Sequence, residues 1–117
     1  MLVIRREQLD VFEEAARAHF VRRAVEHLQR TLPAHCASMT PGALRASARH
    51  AVTRARSYGI TAEVDVLTYL NVMYMLGFEF DTDPRFSWAS EWLREPEVQG
   101  HAKVRLVFER ARRELFP

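Results

Sequence analysis

Residues 61–76, TAEVDVLTYLNVMYML, constrain the fold more than any other stretch. After its first turn only Asp65, Thr68 and Asn71 interrupt an apolar surface, and Gly77 closes the run. A helix that is apolar almost all round is stable in water only when other elements cover it. This segment is therefore predicted to be the central helix of an assembly of helices. Thr61 is placed to cap it, and Glu63 and Asp65 lie in its first turn, where negative charge interacts favourably with the amide end of the helix dipole. Tyr69, Met73, Tyr74 and Met75 read as core volume, because rings and thioethers at helical spacing are most often buried.

Four other helical segments are available to cover it. From about Glu7 to Leu32, the residues Leu9, Phe12, Ala16, Phe20, Ala24 and Leu28 recur three or four apart, which defines one face of a long helix, with Pro33 as its stop. The second helix has a distinct start and finish. Thr40 caps it, Pro41 suits its first position, and Gly59 suits the left-handed position past its end, with Ile60 folding back on Ala55. Its inner stripe of Leu44, Ala48, Val52 and Ala55 is narrow enough for close helix approach. A short helix from about Pro84 to Arg94 carries Trp88 and Trp92 on one face. The last helix runs from about Val98 to Leu115, with Val104, Phe108, Ala111 and Leu115 inward and Arg105, Arg110, Arg112 and Arg113 largely outward. The fold class is thus all-α: a compact bundle of four main helices plus one short helix, forming a single domain over residues 1–117.

A chain of 117 residues can bury roughly two-thirds of its unfolded surface, so a core needs no staples. The single cysteine, Cys36, cannot form an internal disulfide, and the default location is cytoplasmic. Only the four apolar residues Met1–Ile4 precede Arg5 and Arg6, short of the about 7–15 that a signal peptide requires. No segment has the roughly 18 apolar residues needed to span a membrane.

Chemistry-bearing patterns are weak throughout. A calcium loop beginning at Asp81 would need an oxygen ligand where Arg85 stands, glycine where Phe86 stands and glutamate where Trp92 stands. The five histidines show no i, i+4 pair, and Cys36 beside His35 is too small a set for tetrahedral zinc. Serine elbows and glycine-rich phosphate loops are missing. The pairs Asp81/Asp83 and Glu63/Asp65 have a capping explanation that competes with acid–base work. The sequence thus indicates no catalytic residue, metal site or cofactor, and an enzyme would have to rest on Cys36 or a carboxylate pair.

Charge is strongly segregated. Residues 1–60 carry ten arginines against five acids (+5), residues 61–97 two against eight (−6), and residues 98–117 five basic groups against two acids (+3). The second helix presents Arg45, Arg49, Arg54 and Arg56, and its spacing to the next helix mimics a helix-turn-helix. The would-be recognition helix, however, opens with Glu63 and Asp65 and is otherwise apolar, so it repels phosphate and has little to read base edges. Nucleic acid is accordingly the alternative reading. The preferred reading is that the basic helix faces the acidic 61–97 segment or an acidic protein surface. In FEFDTDPRFSW, residues 78–88, Asp83 is predicted to cap the helix that Pro84 opens, while Asp81 supports the turn or stays in solvent. Phe78, Phe80, Phe86 and Trp88 would tether the turn to the core.

Residues 54–93 also carry a family pattern: Arg54-Ala55, Tyr58-Gly59-Ile60, Glu63, Asp65-Val66, Leu76-Gly77, Phe80-Asp81, Asp83-Pro84 and Trp88-Ala89, with Gln8-Leu9 and Phe20 extending it toward the start. In these residues the chain resembles a group of small uncharacterised all-helical bacterial proteins, often encoded beside spike and effector genes of type VI secretion systems. The resemblance implies a small partner-binding protein, either an adaptor or chaperone or an immunity-type inhibitor, whose partner is an effector or spike component. It brings no catalytic residues. The expected contact surface comprises Asp81, Asp83, Arg85, Trp88 and Trp92, together with Arg45, Arg49 and Arg56 of the basic helix.

Overall fold

The computed structural model describes residues 13–116. Among them are six α-helices, α1 Glu14–Thr31, α2 Pro33–Cys36, α3 Pro41–Ser57, α4 Glu63–Leu76, α5 Ser87–Leu93 and α6 Gly100–Leu115, with 3-10 turns at Phe80–Thr82 and Pro84–Phe86 and no strand. The chain is all-α, as its periodicity implies. In α1 the buried residues are Phe20, Ala24 and Leu28 of the expected stripe, together with Val21, while Ala16 is half-buried. Leu9 and Phe12, predicted on the same stripe, lie outside the described residues. Leu32 leaves helical geometry at φ −132°, ending α1, but Pro33 then opens the extra turn α2 rather than a loop. This follows from the preset φ of proline, which suits a first helical position.

The limits of α3 are those the local sequence predicts. Thr40 accepts the Ala43 amide at 3.0 Å. At the other end Gly59 has φ 80°, its amide donates to Arg56 O at 3.0 Å, and the Ile60 amide donates to Ala55 O at 2.9 Å. This Schellman arrangement needs a left-handed residue that glycine supplies at least cost. The buried Ile60 completes the hydrophobic closure. Thr61 does not cap α4. The capping position falls one residue later, on Ala62, which offers no side-chain bond, so Thr61 is too far back to reach the first amides.

α4 is the central element. Val66, Tyr69, Leu70, Val72 and Met73 are each within 1 % of complete burial. α3 and α6 pack on it, α1 packs on α3, and α5 packs on α6 and on the Phe80–Thr82 turn. Burying one such side chain contributes about 1.5–3 kcal/mol. The exception is Val64 in the first turn, which is exposed.

Two contacts dock the start of α6 onto the α3–α4 turn. A Cβ built on Gly100 would stand 2.3 Å from Gly59 O, so only glycine allows the two backbones to approach this closely. One turn on, the Lys103 ammonium is buried and donates to Leu93 O at 3.0 Å and Tyr58 O at 3.2 Å. These bonds satisfy a charge that would otherwise be costly inside. The last helix therefore begins at Gly100 rather than Val98. At its far end Leu115, predicted inward, is exposed, because the helix outruns its packing partners there.

Candidate interaction surface

The segment that follows α4 has an inward and an outward half. Inward, Phe80 is buried with its ring 5.1 Å from that of Tyr69. Asp81 is 0 % exposed. Its Oδ2 accepts from Arg54 Nε at 2.8 Å, from a second Arg54 nitrogen, and from the Tyr58 hydroxyl at 2.7 Å. The carboxylate holds the Arg54 proton more tightly than usual. Burial, reinforced by the bond to Asp81, pushes the Tyr58 phenol up. Asp81 thus supports the turn from inside. It does not stay in solvent, and it offers no surface to a partner. Tyr58 and Arg54 reach it from α3 and its end, 23 and 27 residues earlier, so these bonds tie the turn to the basic helix.

Other side chains from distant segments also meet carboxylates. Arg23 of α1 pairs with Glu63 of α4, and His50 Nε2 lies 3.5 Å from Glu79. His101 Nδ1 lies 2.7 Å from Oδ1 of the buried Asp65. The basic helix does face the acidic segment, but chiefly through Arg54 and His50. Arg45, Arg49 and Arg56 are exposed on α3.

Outward, the residues form a chain of contacts. The Asp83 carboxylate caps the Pro84–Phe86 turn, accepting the Arg85 amide at 2.9 Å, and pairs with the Arg85 guanidinium at 2.8 Å. The Arg85 bonds pull the Asp83 carboxyl below its ordinary 3.8, and the carboxylate in turn raises Arg85. The Arg85 guanidinium lies 5.3 Å from the centre of the Phe86 ring, which meets Trp88 edge to face at 6.2 Å. On the Trp88 indole rests Arg110 of α6, 4.9 Å from the ring centre. Phe86 and Trp88 are half-buried and do tether the turn, and Phe78, though more exposed, rests its ring 5.0 Å from that of Tyr74 of α4.

One turn beyond Trp88, Trp92 is 40 % exposed. With Glu91 and Glu95 it lines a shallow depression of about 250 Å³. Ala89 and Leu93, both buried, hold α5 against the core along the stripe beside Trp92, so the indole is presented by a held helix. Of the predicted contact residues, the structure thus joins Asp83, Arg85 and Trp88 into one strip, sets Trp92 one turn further on, and removes Asp81 to the interior. Arg45, Arg49 and Arg56 ride on α3, which packs chiefly on α1 and α4.

The periodicity gave no sign of two apolar depressions. One, of about 310 Å³, lies among α1, α4 and α6 and is lined by Leu32, Met75, Phe108 and Phe116, with His27 Nε2 bonded to Asn71 Oδ1 at 3.1 Å beside it. The other, of about 410 Å³, lies beside α3 among Met39, Ala43, Ala46 and Phe78. Both arise where incomplete helix stripes meet, which no single helix reveals. Among the described residues no group of three or more His, Cys, Asp or Glu is placed to hold a metal ion. No helix among them is long and apolar enough to cross a membrane. Comparison with known proteins found no matching family model, no matching curated protein and no matching solved structure.

Proposed function

We propose that this chain is a non-enzymatic protein-binding module, acting in the cytoplasm as an adaptor, chaperone or immunity-type inhibitor for a type VI secretion effector or spike component. The observation that carries the reading is the exposed Trp92 indole at the edge of the buried Ala89–Leu93 stripe of α5, on a helix held in the core. Tryptophan is among the residues most enriched at interface hot spots, and an anchor held in place before binding loses little freedom on association. The Glu91 and Glu95 carboxylates beside it support charge-steered encounter with a basic partner surface. The likeness of residues 54–93 to proteins of secretion clusters suggests where the partner is encoded.

The test is co-expression with each product of the neighbouring genes, followed by size-exclusion chromatography at low salt. Co-elution with one of them, weakened as salt rises, is the expected result. Elution alone against every neighbour overturns the reading. Duplex DNA binding through α3 is the second reading, favoured by the exposed Arg45, Arg49 and Arg56. It has weakened, since Arg54 is committed to Asp81. Affinity for DNA that falls steeply with salt and is lost on replacing Arg45, Arg49 and Arg56 would revive it.

A further inference from the structure

The two tryptophans of α5 are one turn apart but differ in what lies over their rings. Trp88 already carries a cation: the Arg110 guanidinium sits 4.9 Å from its centre. Among the described residues no cation of the chain covers Trp92, which is 40 % exposed. The flanking charges at Trp92 are negative. Glu91 and Glu95 line the depression with it, and Glu97 lies two residues beyond Glu95. Glu95 Oε1 accepts the Glu97 amide at 3.3 Å, a contact that leaves its second oxygen available. The neighbouring Arg94 is exposed and its charge acts on the Tyr58 phenol.

We propose that Trp92, with the Glu91 and Glu95 carboxylates, is a receptor for one arginine side chain presented by a basic segment of the partner protein. The proposal rests on the protein-binding reading above and names the chemistry of the partner. The indole face attracts a cation through its ring quadrupole, and tryptophan is the best of the aromatic rings for this. Carboxylates beside the ring accept the guanidinium hydrogen bonds in its plane, which a planar fork satisfies better than a compact ammonium. A depression of about 250 Å³ lies just below the about 300–1,000 Å³ of sites for drug-sized ligands, as suits a single long side chain. Trp88 with Arg110 shows that the same helix uses this pairing internally; at Trp92 the arginine comes from outside.

The test follows the two indole N–H resonances during titration with a hexa-arginine peptide at low salt, with hexaglutamate as control. The expected result is a saturable shift at Trp92, little change at Trp88 and no response to hexaglutamate. Glu91→Gln combined with Glu95→Gln should weaken the peptide by about tenfold, the loss of two exposed ion pairs with the cation–π contact left in place. Trp92→Leu should weaken it similarly at unchanged melting temperature. A Trp92 resonance that stays still, or equal affinity in the Glu91/Glu95 variant, overturns the receptor. Self-association that Trp92→Leu abolishes would make a second copy the occupant and also overturn it. Failure of the two readings is distinguishable. Co-elution with a gene neighbour that survives Trp92→Leu sinks the receptor alone, whereas peptide binding at Trp92 with no co-eluting neighbour sinks the secretion-partner reading alone.

Discussion

Asp81 and Asp83 stand two residues apart in one turn, each paired with an arginine and close to aromatic rings, and they do different work. Asp81 is wholly enclosed and binds Arg54 and Tyr58 from 27 and 23 residues away, so its bonds hold distant parts of the chain together. Asp83 binds Arg85, its neighbour but one, at the surface, and shapes only the turn it caps. The same contrast separates Trp88, roofed by Arg110, from the open Trp92. Residue type sets what an interaction can be, but burial and sequence separation set whether it holds the fold or remains available to a partner. A buried carboxylate that loses its partner costs about 3–5 kcal/mol, whereas exposed pairs contribute little.

That contrast can be broken at several points. The largest expected effect is Arg54→Ala, which strands the Asp81 charge inside. Because part of Arg54 reaches solvent, we expect the low end of that range, about 3 kcal/mol in urea unfolding, or roughly 15 °C in melting temperature. Stability near wild type would mean that Asp81 is not held as an ion pair. Next is Gly100→Ala, whose Cβ would meet Gly59 O and force α6 away from the α3–α4 turn; about 2 kcal/mol is expected from the same measurement.

Alkaline pH probes the interior more gently. Burial raises the Tyr58, Tyr69 and Tyr74 phenols above their ordinary 10.0. Below that value all three are neutral in both the folded and the unfolded chain, and titration contributes nothing. Above it the unfolded chain ionises first, so stability falls as pH rises. Tyr69→Phe, at a hydroxyl with no hydrogen-bond partner among the described residues, should make that fall shallower with little change at neutral pH. An unchanged slope would place the alkaline loss elsewhere. The smallest effect on folding belongs to Trp92→Leu, expected to stay within about 0.5 kcal/mol of wild type while partner affinity drops. A large loss of stability there would turn the indole into a core residue.

How much of this the sequence discloses depends on how local the cause is. The ends of α3 can be read directly, because Thr40, Pro41, Gly59 and Ile60 act within one turn of themselves. The same holds for Asp83 ahead of Pro84. The central place of α4 follows from composition alone. Asp81 could not be placed, since Asp-Thr-Asp-Pro reads the same whether its first carboxylate faces water or the end of α3. Nor does Lys103 show its burial, because the carbonyls that receive it belong to Tyr58 and Leu93, 45 and 10 residues back. Leu115 keeps the helical spacing of a core residue past the point where α6 has anything to pack on. Thr61 is a good cap in type but one position early.

The most direct test is a pair of double-mutant cycles in urea unfolding, one crossing Arg54→Ala with Asp81→Ala and the other crossing Arg85→Ala with Asp83→Ala. Arg54 and Asp81 should show a coupling of about 2 kcal/mol or more, with Arg85 and Asp83 indistinguishable from additive. Equal coupling in the two cycles, or none between Arg54 and Asp81, would contradict the division of the turn into a half that holds the fold and a half that faces outward.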